Sequence, residues 1–521
     1  MLTALLLLAC AQPTCPSLDD LGLDPGLTAQ PGPETAFPDF ALGVEYNATG
    51  LASAYGRDGL NARWAKTRLE AFEWGMVEAR RGQYDWSCPD AQIGEWQQAG
   101  VEQLQSYFTS KSSWGSRGVL DYVPKDADRD AFLDWVEALI ERYDGDGVDD
   151  MPGLVRPVRH WVFGGEWTGF WPSGDADSYL DLMADVRQSA QAASDEVLLG
   201  SIPFFMIDVF EGNEPTEEEI EARWQDDPPG DRHDLESHLA ILDGHALFDY
   251  VNVHSLGDYT ELPPTHAWMQ GELEARGADL PIWIDDAFPA HFLANNGTRP
   301  AWYPTTEENY DAVYAVLQAV AEDPEGQSAE TAWIRAETAK GTVKKAVTAL
   351  GEGFVGIQIG NTVDWMSADN VALRRSNVSL IGAAAMMGMI DAEHPEGLSL
   401  GAVLVPGPER PAWHAFDLVQ QLLGDEPWDT VERIGGTTGL RGYRLERGAR
   451  TLWVVWSEDG VLQLPGEAES TETLRLETDA AAVMVTVTPT TDGGWASETV
   501  EAVNGEVELT IGEAPVFVED Q

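Results

Sequence analysis

Eight short apolar runs recur along the first four fifths of the chain, each followed by a stretch with helical periodicity. The runs are FALGVEYNA (40–48), WAKTRLEAFEW (64–74), VEQLQSYF (101–108), VRHWVFGGEW (158–167), VLLGSIPFF (197–205), YVNVHSLGDY (250–259), PIWIDDAF (281–288) and FVGIQIGNTVDW (354–365). They are short and rich in aromatic and β-branched residues, which suits strands buried on both faces. Between them lie amphipathic segments such as DAFLDWVEALIERY, SYLDLMADVRQSAQAA and TAKGTVKKAVTALGEG. After the eighth run, Trp413, Phe416, Val419 and Leu423 fall on one helical face. Eight strand–helix alternations predict an α/β fold, a closed (β/α)8 barrel over residues 39–425. The competing open, doubly wound sheet would carry a glycine-rich first turn, and none is present. From residue 426 the period changes: YRLERGARTLWVVWSED, AAVMVTVTP and GEVELTIGEAPVFVED alternate or run apolar between Gly and Asp turns. This predicts a small all-β sandwich over residues 426–521.

The amino end, MLTALLLLACAQPTCPSLDD, carries a short apolar run ending in LLAC. It resembles the lipobox of bacterial lipoproteins, which implies a signal over residues 1–9, lipidation at Cys10 and a membrane anchor there; plain secretion is the alternative. Residues 10–38, rich in Pro, Asp and Gly without a period, read as a tether. Cys15 and Cys88 could close one bridge, which spacing alone does not decide. No later stretch is long and apolar enough to span a bilayer. With 31 basic against 89 acidic residues, the net charge of −58 disfavours nucleic acid and anionic lipid as partners and fits solubility in a salty medium. CxxC, HExxH and P-loop patterns are absent, so no metal and no cofactor is expected.

Barrels of this kind place their chemistry at the C-terminal ends of the strands. The polar and aromatic residues there are Glu45, Arg68, Trp74, Tyr107, Glu166, His254, Asp286 and Trp365. Two carboxylates, Glu166 in WVFGGEWTGFW and Asp286 in PIWIDDAF, each end an apolar strand and precede an aromatic residue. Ile282, Ile284 and Asp286 share a parity, which predicts that Asp286 faces the barrel axis and Asp285 faces away. Trp167, Phe170 and Trp171 offer rings on which a sugar face could pack. DGDGVDD (144–150) departs from the EF-hand pattern at its fifth and twelfth positions, Val148 and Val155, and reads as a hydrated acidic loop.

RLEAFEWGMVEARRGQYDW, the approach RYDGDGVDDMPGLVRPVRHWVFGGEW and PIWIDDAF resemble the second-, fourth- and seventh-strand regions of clan A glycoside hydrolases. The C-terminal β-sandwich ending APVFVED is similar to the small domain many of these enzymes carry. The resemblance implies hydrolysis of an extracellular oligo- or polysaccharide with a carbohydrate as the only partner at the site. Glu166 would be the general acid/base and Asp286 the nucleophile, because bond cleavage needs a proton for the leaving oxygen and a negative group facing the oxocarbenium. Arg68 would hold the nucleophile, and His254, Trp74, Tyr107, Trp167, Trp171 and Trp365 would line the substrate. Two positions depart from the pattern: Gly165 stands where the family has Asn, and Asp286 where it has Glu. Three outcomes follow: attack by the shorter acid, admission of a water and inversion, or a sugar-binding cleft without turnover. GNEP (212–215) offers a rival acid, Glu214, which strand count disfavours.

Overall fold

The computed structural model describes residues 15–521 apart from 33–36, 46–47, 119–120, 172, 207–208, 213–214, 226–231, 290–306, 365–370, 394–401, 425–426 and 437. All eight apolar runs contain strands: β1 (Ala41–Val44), β2 (Trp64–Lys66), β3 (Gln103–Phe108), β4 (His160–Phe163), β5 (Leu198–Gly200), β6 (Val251–Ser255), β7 (Ile282–Ala287) and β8 (Gly356–Ile359). They pair in parallel in the order β5-β4-β3-β2-β1-β8-β7-β6. Parallel bridges between Gly200 and Tyr250 and between Phe204 and Val253 join the two edges and close the barrel. Helices such as Ser87–Gln98, Arg129–Tyr143, Ala176–Ala193, Leu262–Ala275 and Ala329–Glu352 form the outer layer. Helix Pro411–Leu423 buries Phe416, Val419 and Leu423 in the expected stripe.

The parity of each strand sorts its residues between two cores. Ala65, Trp161, Phe163, Val251, Val253, Ile282, Ile284, Ile357 and Ile359 pack outward against the helices. Trp64, Tyr107, Val162, Tyr250 and Trp283 point inward and, with the ring of His160, plug the barrel. Above this plug Gln358 donates to Gln105 at 2.8 Å, and Gln105 donates to Asn252 at 3.2 Å. These buried amides pair with one another, Gln358 Oε1 excepted. A charged layer sits above them, at the C-terminal rim.

Two short strands, β9 (Ile390–Glu393) and β10 (Val405–Glu409), form a ribbon after the barrel. The last eight are β11 (Thr430–Ile434), β12 (Gly439–Arg447), β13 (Arg450–Glu458), β14 (Glu472–Glu477), β15 (Ala482–Val487), β16 (Ser497–Glu501), β17 (Glu506–Ile511) and β18 (Val516–Asp520). A six-stranded sheet, β11-β12-β13-β18-β15-β16, faces the β14–β17 pair across a core that includes Val455, Leu474, Val483, Val507 and Val518. All pairs are antiparallel, giving the expected sandwich. It meets the barrel through polar contacts: Trp456 donates to the Tyr259 hydroxyl at 2.9 Å, and Lys340 pairs with Glu513 at 3.0 Å.

Cys15 and Cys88 form a disulfide, with Cα atoms 5.1 Å apart across 73 residues of chain. Residues after it are docked on the barrel: the Asp24 amide donates to Gln98 at 2.9 Å and the Gln30 amide to the Val155 carbonyl at 2.8 Å. Much of the segment read as a tether is therefore fixed. Cys10 lies outside the described residues. Among the described residues no helix is long and apolar enough to cross a membrane.

Candidate active site

Glu45, Lys66, Tyr107, His254, Asp285 and Asp286 converge at the rim, with Glu166 directly after β4. All but Glu166 and His254 are buried as whole residues, and the His254 side chain is only 4% exposed. Glu166 is the most open, its side chain 34% exposed. The ligand-capable atoms of Glu166, His254 and Asp286 all lie within 4.8 Å of one another. The two carboxylates chosen from the sequence thus oppose each other across a short gap.

Asp286 stands at the rim, but not for the reason its parity suggests. Ile282 and Ile284 face the helices, while Trp283 and Asp285 face the barrel axis. In a parallel sheet both faces are buried, so apolar residues do not mark the inward face. Asp286 reaches the site because β7 carries one extra residue there. Val253 pairs with Ile284 but His254 with Asp286, and Ile357 with Ile284 but Ile359 with Ala287. A bulge of this kind re-aims side chains, and here two successive acids reach the rim together. Asp285 is wholly buried and accepts from the Tyr107 hydroxyl.

His254 ties the acids together. Its Nδ1 lies 3.1 Å from Glu166 Oε1 and 3.9 Å from Asp286 Oδ2, and its Nε2 lies 3.3 Å from Asp285 Oδ1. Burial opposes its charge, but Asp286, Asp285 and Glu166 outweigh it and raise the imidazole to about 9. Lys66 is the second cation, with Nζ 3.1 Å from Glu45 Oε1 and 3.8 Å from Asp286 Oδ2. It also lies 4.6 Å from the Tyr107 ring centre. Burial would discharge Lys66, yet Glu45 and the two aspartates hold it above its ordinary value. Burial likewise raises Asp286, but Lys66 and His254 prevail and hold it below the usual carboxylate range.

Several expected roles are not borne out by position. Arg68 lies beyond the end of β2, with Nε 3.7 Å from Glu70; the cation facing Asp286 is Lys66. The strand ends at Lys66, and its inward parity runs Trp64 then Lys66, so the earlier residue takes the rim. Trp74 is fully buried between Trp114 and Phe132 and donates to Glu78. Trp167 and Trp171 are also core residues, their indoles donating to Ser237 Oγ and the Asp175 carbonyl. The short turn Trp167–Phe170 that follows Glu166 rolls these rings into the helix layer, where ordinary burial wins over solvent-facing packing. Tyr107 is at the site but sits beneath the acids as a donor. A Cβ on Gly165 would fall on the Phe170 ring, so that ring fills the place of the family asparagine. Trp365 and Glu214 lie outside the described residues. Lys66 is a site residue that strand-end reading misses; a lysine two positions after an inward tryptophan at a strand end is the signal that could have found it.

Metal-ligand geometry of a kind is present in the Glu166–His254–Asp286 trio, but the ammonium of Lys66 already occupies its anionic side. Asp144, Asp146 and Asp150 bring oxygens within 4.8 Å of one another in the acidic loop. Their visible partners are the loop's own amides at Gly145, Asp146, Gly147 and Val148.

No protein-family model matches the chain, and no curated protein matches it. Solved structures do. A glucosidase from Croceicoccus marinus aligns over 95% of this chain and 98% of its own with a TM-score of 0.51 at 12% identity. BuGH86, solved in complex with neoagarooctaose, aligns over 96% of this chain and 78% of its own with a TM-score of 0.52 at 11% identity. The likeness to these structures is one of fold, here a parallel eight-stranded barrel followed by a β-sandwich.

Proposed function

We propose that the protein is a glycoside hydrolase acting on an oligo- or polysaccharide, with retention of configuration. The observation that carries this reading is the approach of Glu166 and Asp286 to within 4.8 Å. Retaining enzymes hold their carboxyls roughly 5–5.5 Å apart, whereas inverting enzymes need about 6.5–9.5 Å to admit a water. Asp286 Oδ2 attacks the anomeric carbon while Glu166 passes a proton to the departing glycosidic oxygen. Glu166 then takes a proton from water, whose oxygen displaces Asp286 from the sugar. Charged His254 borders all three acids, and Lys66 keeps Asp286 ionised for attack. No cofactor is required.

Export supports this setting. The Cys15–Cys88 bridge suits an oxidising compartment, and the LLAC sequence supplies a lipid site at Cys10. The test is product release from a panel of aryl glycosides and polysaccharides by wild type and Glu166→Ala, with product configuration followed by proton NMR. Turnover with retention, lost in the variant, is expected. Turnover that survives Glu166→Ala would remove Glu166 from the role.

A second reading, a sugar-binding barrel without turnover, is favoured by one observation: Phe170 occupies the place of the asparagine that would meet a substrate hydroxyl. Oligosaccharide binding with no product from any substrate would establish it.

A further inference from the structure

We propose that Glu45, directly after β1, is a positioning residue for Asp286: it keeps its carboxyl proton at neutral pH and donates it to Asp286 Oδ1, leaving Oδ2 as the reacting oxygen. This rests on the reading of Asp286 as nucleophile. Glu45 is wholly buried. Its Oε1 accepts from Lys66 at 3.1 Å. Its Oε2 is pressed against Gly360, where a Cβ would stand 2.8 Å away, and has no hydrogen-bond donor among the described residues. Asp286 is in the same position. Oδ2 faces Lys66 and His254 at 3.8 and 3.9 Å, while Oδ1 is shut off from solvent with no donor directed at it among the described residues. The two side chains are within hydrogen-bonding reach of each other.

Two ionised carboxylates in that arrangement would set two buried acceptors face to face, each bearing the cost of an unmade hydrogen bond. One proton between them satisfies both. The charges of the layer agree. Facing the pair are Lys66 from β2, Tyr107 from β3, Glu166 after β4, His254 from β6, Asp285 from β7 and Lys345 from helix Ala329–Glu352. Of the two, Glu45 is the one that yields: among the described residues its cation is Lys66, which it shares, whereas Asp286 has both Lys66 and His254. Burial, and then the Asp286 charge, raise Glu45 well above its ordinary value. The arrangement also gives a use to the shorter acid. An aspartate sits further back than a glutamate, and a neutral carboxyl beneath it fixes the plane in which Oδ2 is presented.

The experiment is infrared difference spectroscopy of wild type against Glu45→Gln at about pH 8, alongside kinetics of Glu45→Gln and Glu45→Met. Three other buried acids, Glu73, Glu95 and Asp258, are raised to about 7 and cancel in the difference. A protonated-carboxyl stretch present in wild type and missing in Glu45→Gln is expected. Glutamine can still donate to Oδ1, so its kcat should stay within about threefold of wild type. Methionine fills the volume without donating, and its kcat should fall about a hundredfold with KM little changed. No band in the difference spectrum overturns the proposal, as does a Gln variant as impaired as Met. If Glu45→Met does not fold, the band and Glu45→Gln decide the matter. A band in a protein that turns over no glycoside would instead sink the hydrolase reading and leave the proton on Glu45.

Discussion

Lys66→Met removes the cation that Asp286 depends on while nearly preserving side-chain volume. With Glu45 neutral, the nearest charge–charge attraction that disappears is that between Lys66 Nζ and Asp286 Oδ2 at 3.8 Å. At an effective dielectric of about 20 this amounts to about 4 kcal/mol. That agrees with the roughly 3–5 kcal/mol lost when one partner of a buried pair is deleted. Both groups are almost fully buried, so solvent screening takes little from the figure. The pH dependence has a definite sign. In wild type the Asp286 pKa is depressed, so its contribution is present above the unfolded value and is lost as pH falls through the folded one. Without Lys66 burial raises Asp286, and the charged form becomes the costly one. The penalty of the substitution therefore grows from about pH 5 to about pH 8. Urea unfolding followed by tryptophan fluorescence reads this directly, since the chain has 20 tryptophans and the assay needs no substrate. A loss below about 1 kcal/mol at pH 8, or a larger loss at pH 5 than at pH 8, refutes the charge assignment.

Asp286→Glu, which lengthens the acid by one methylene, should lower kcat about a hundredfold rather than raise it. The added methylene consumes part of a gap that is already at most 4.8 Å, and kinetics on any accepted glycoside checks it. His254 is raised to about 9, so its charge and the stability it contributes are complete below its unfolded value and are lost as pH climbs through about 9. The pH–rate profile should fall on its alkaline side there, and His254→Gln should abolish that limb. Opening the Cys15–Cys88 bridge by Cys88→Ser should cost up to about 4 kcal/mol for a loop of 73 residues, measured by the same unfolding assay.

The barrel is legible because strand–helix alternation is a period in the sequence, and all eight runs contain their strand. The sandwich is legible because its runs alternate or stay apolar between Gly and Asp turns, with no helical period. That Glu166 and Asp286 stand at the ends of β4 and β7 is legible in the strand order. What stays hidden depends on which way a side chain turns at the end of a strand. The β7 bulge is one residue long and leaves no composition signal, yet it decides that Asp285 and Asp286 both reach the rim. Trp167 and Trp171 read as sugar platforms because they neighbour an acid, but a single helical turn carries them into the core. Arg68 masks Lys66 because the family pattern points two residues too far along.

The disulfide at Cys15 has a consequence for where the barrel works. Cys88 is the second residue of helix Ser87–Gln98, which follows β2 and so starts near the same rim as the acids. A lipid on Cys10 would leave five peptide steps to that fixed point, a leash of about 17 Å at full stretch. The molecule would then ride close against the bilayer, moored beside its working end rather than swinging on a stalk. Glycan chains would have to come down to the membrane surface to be cut.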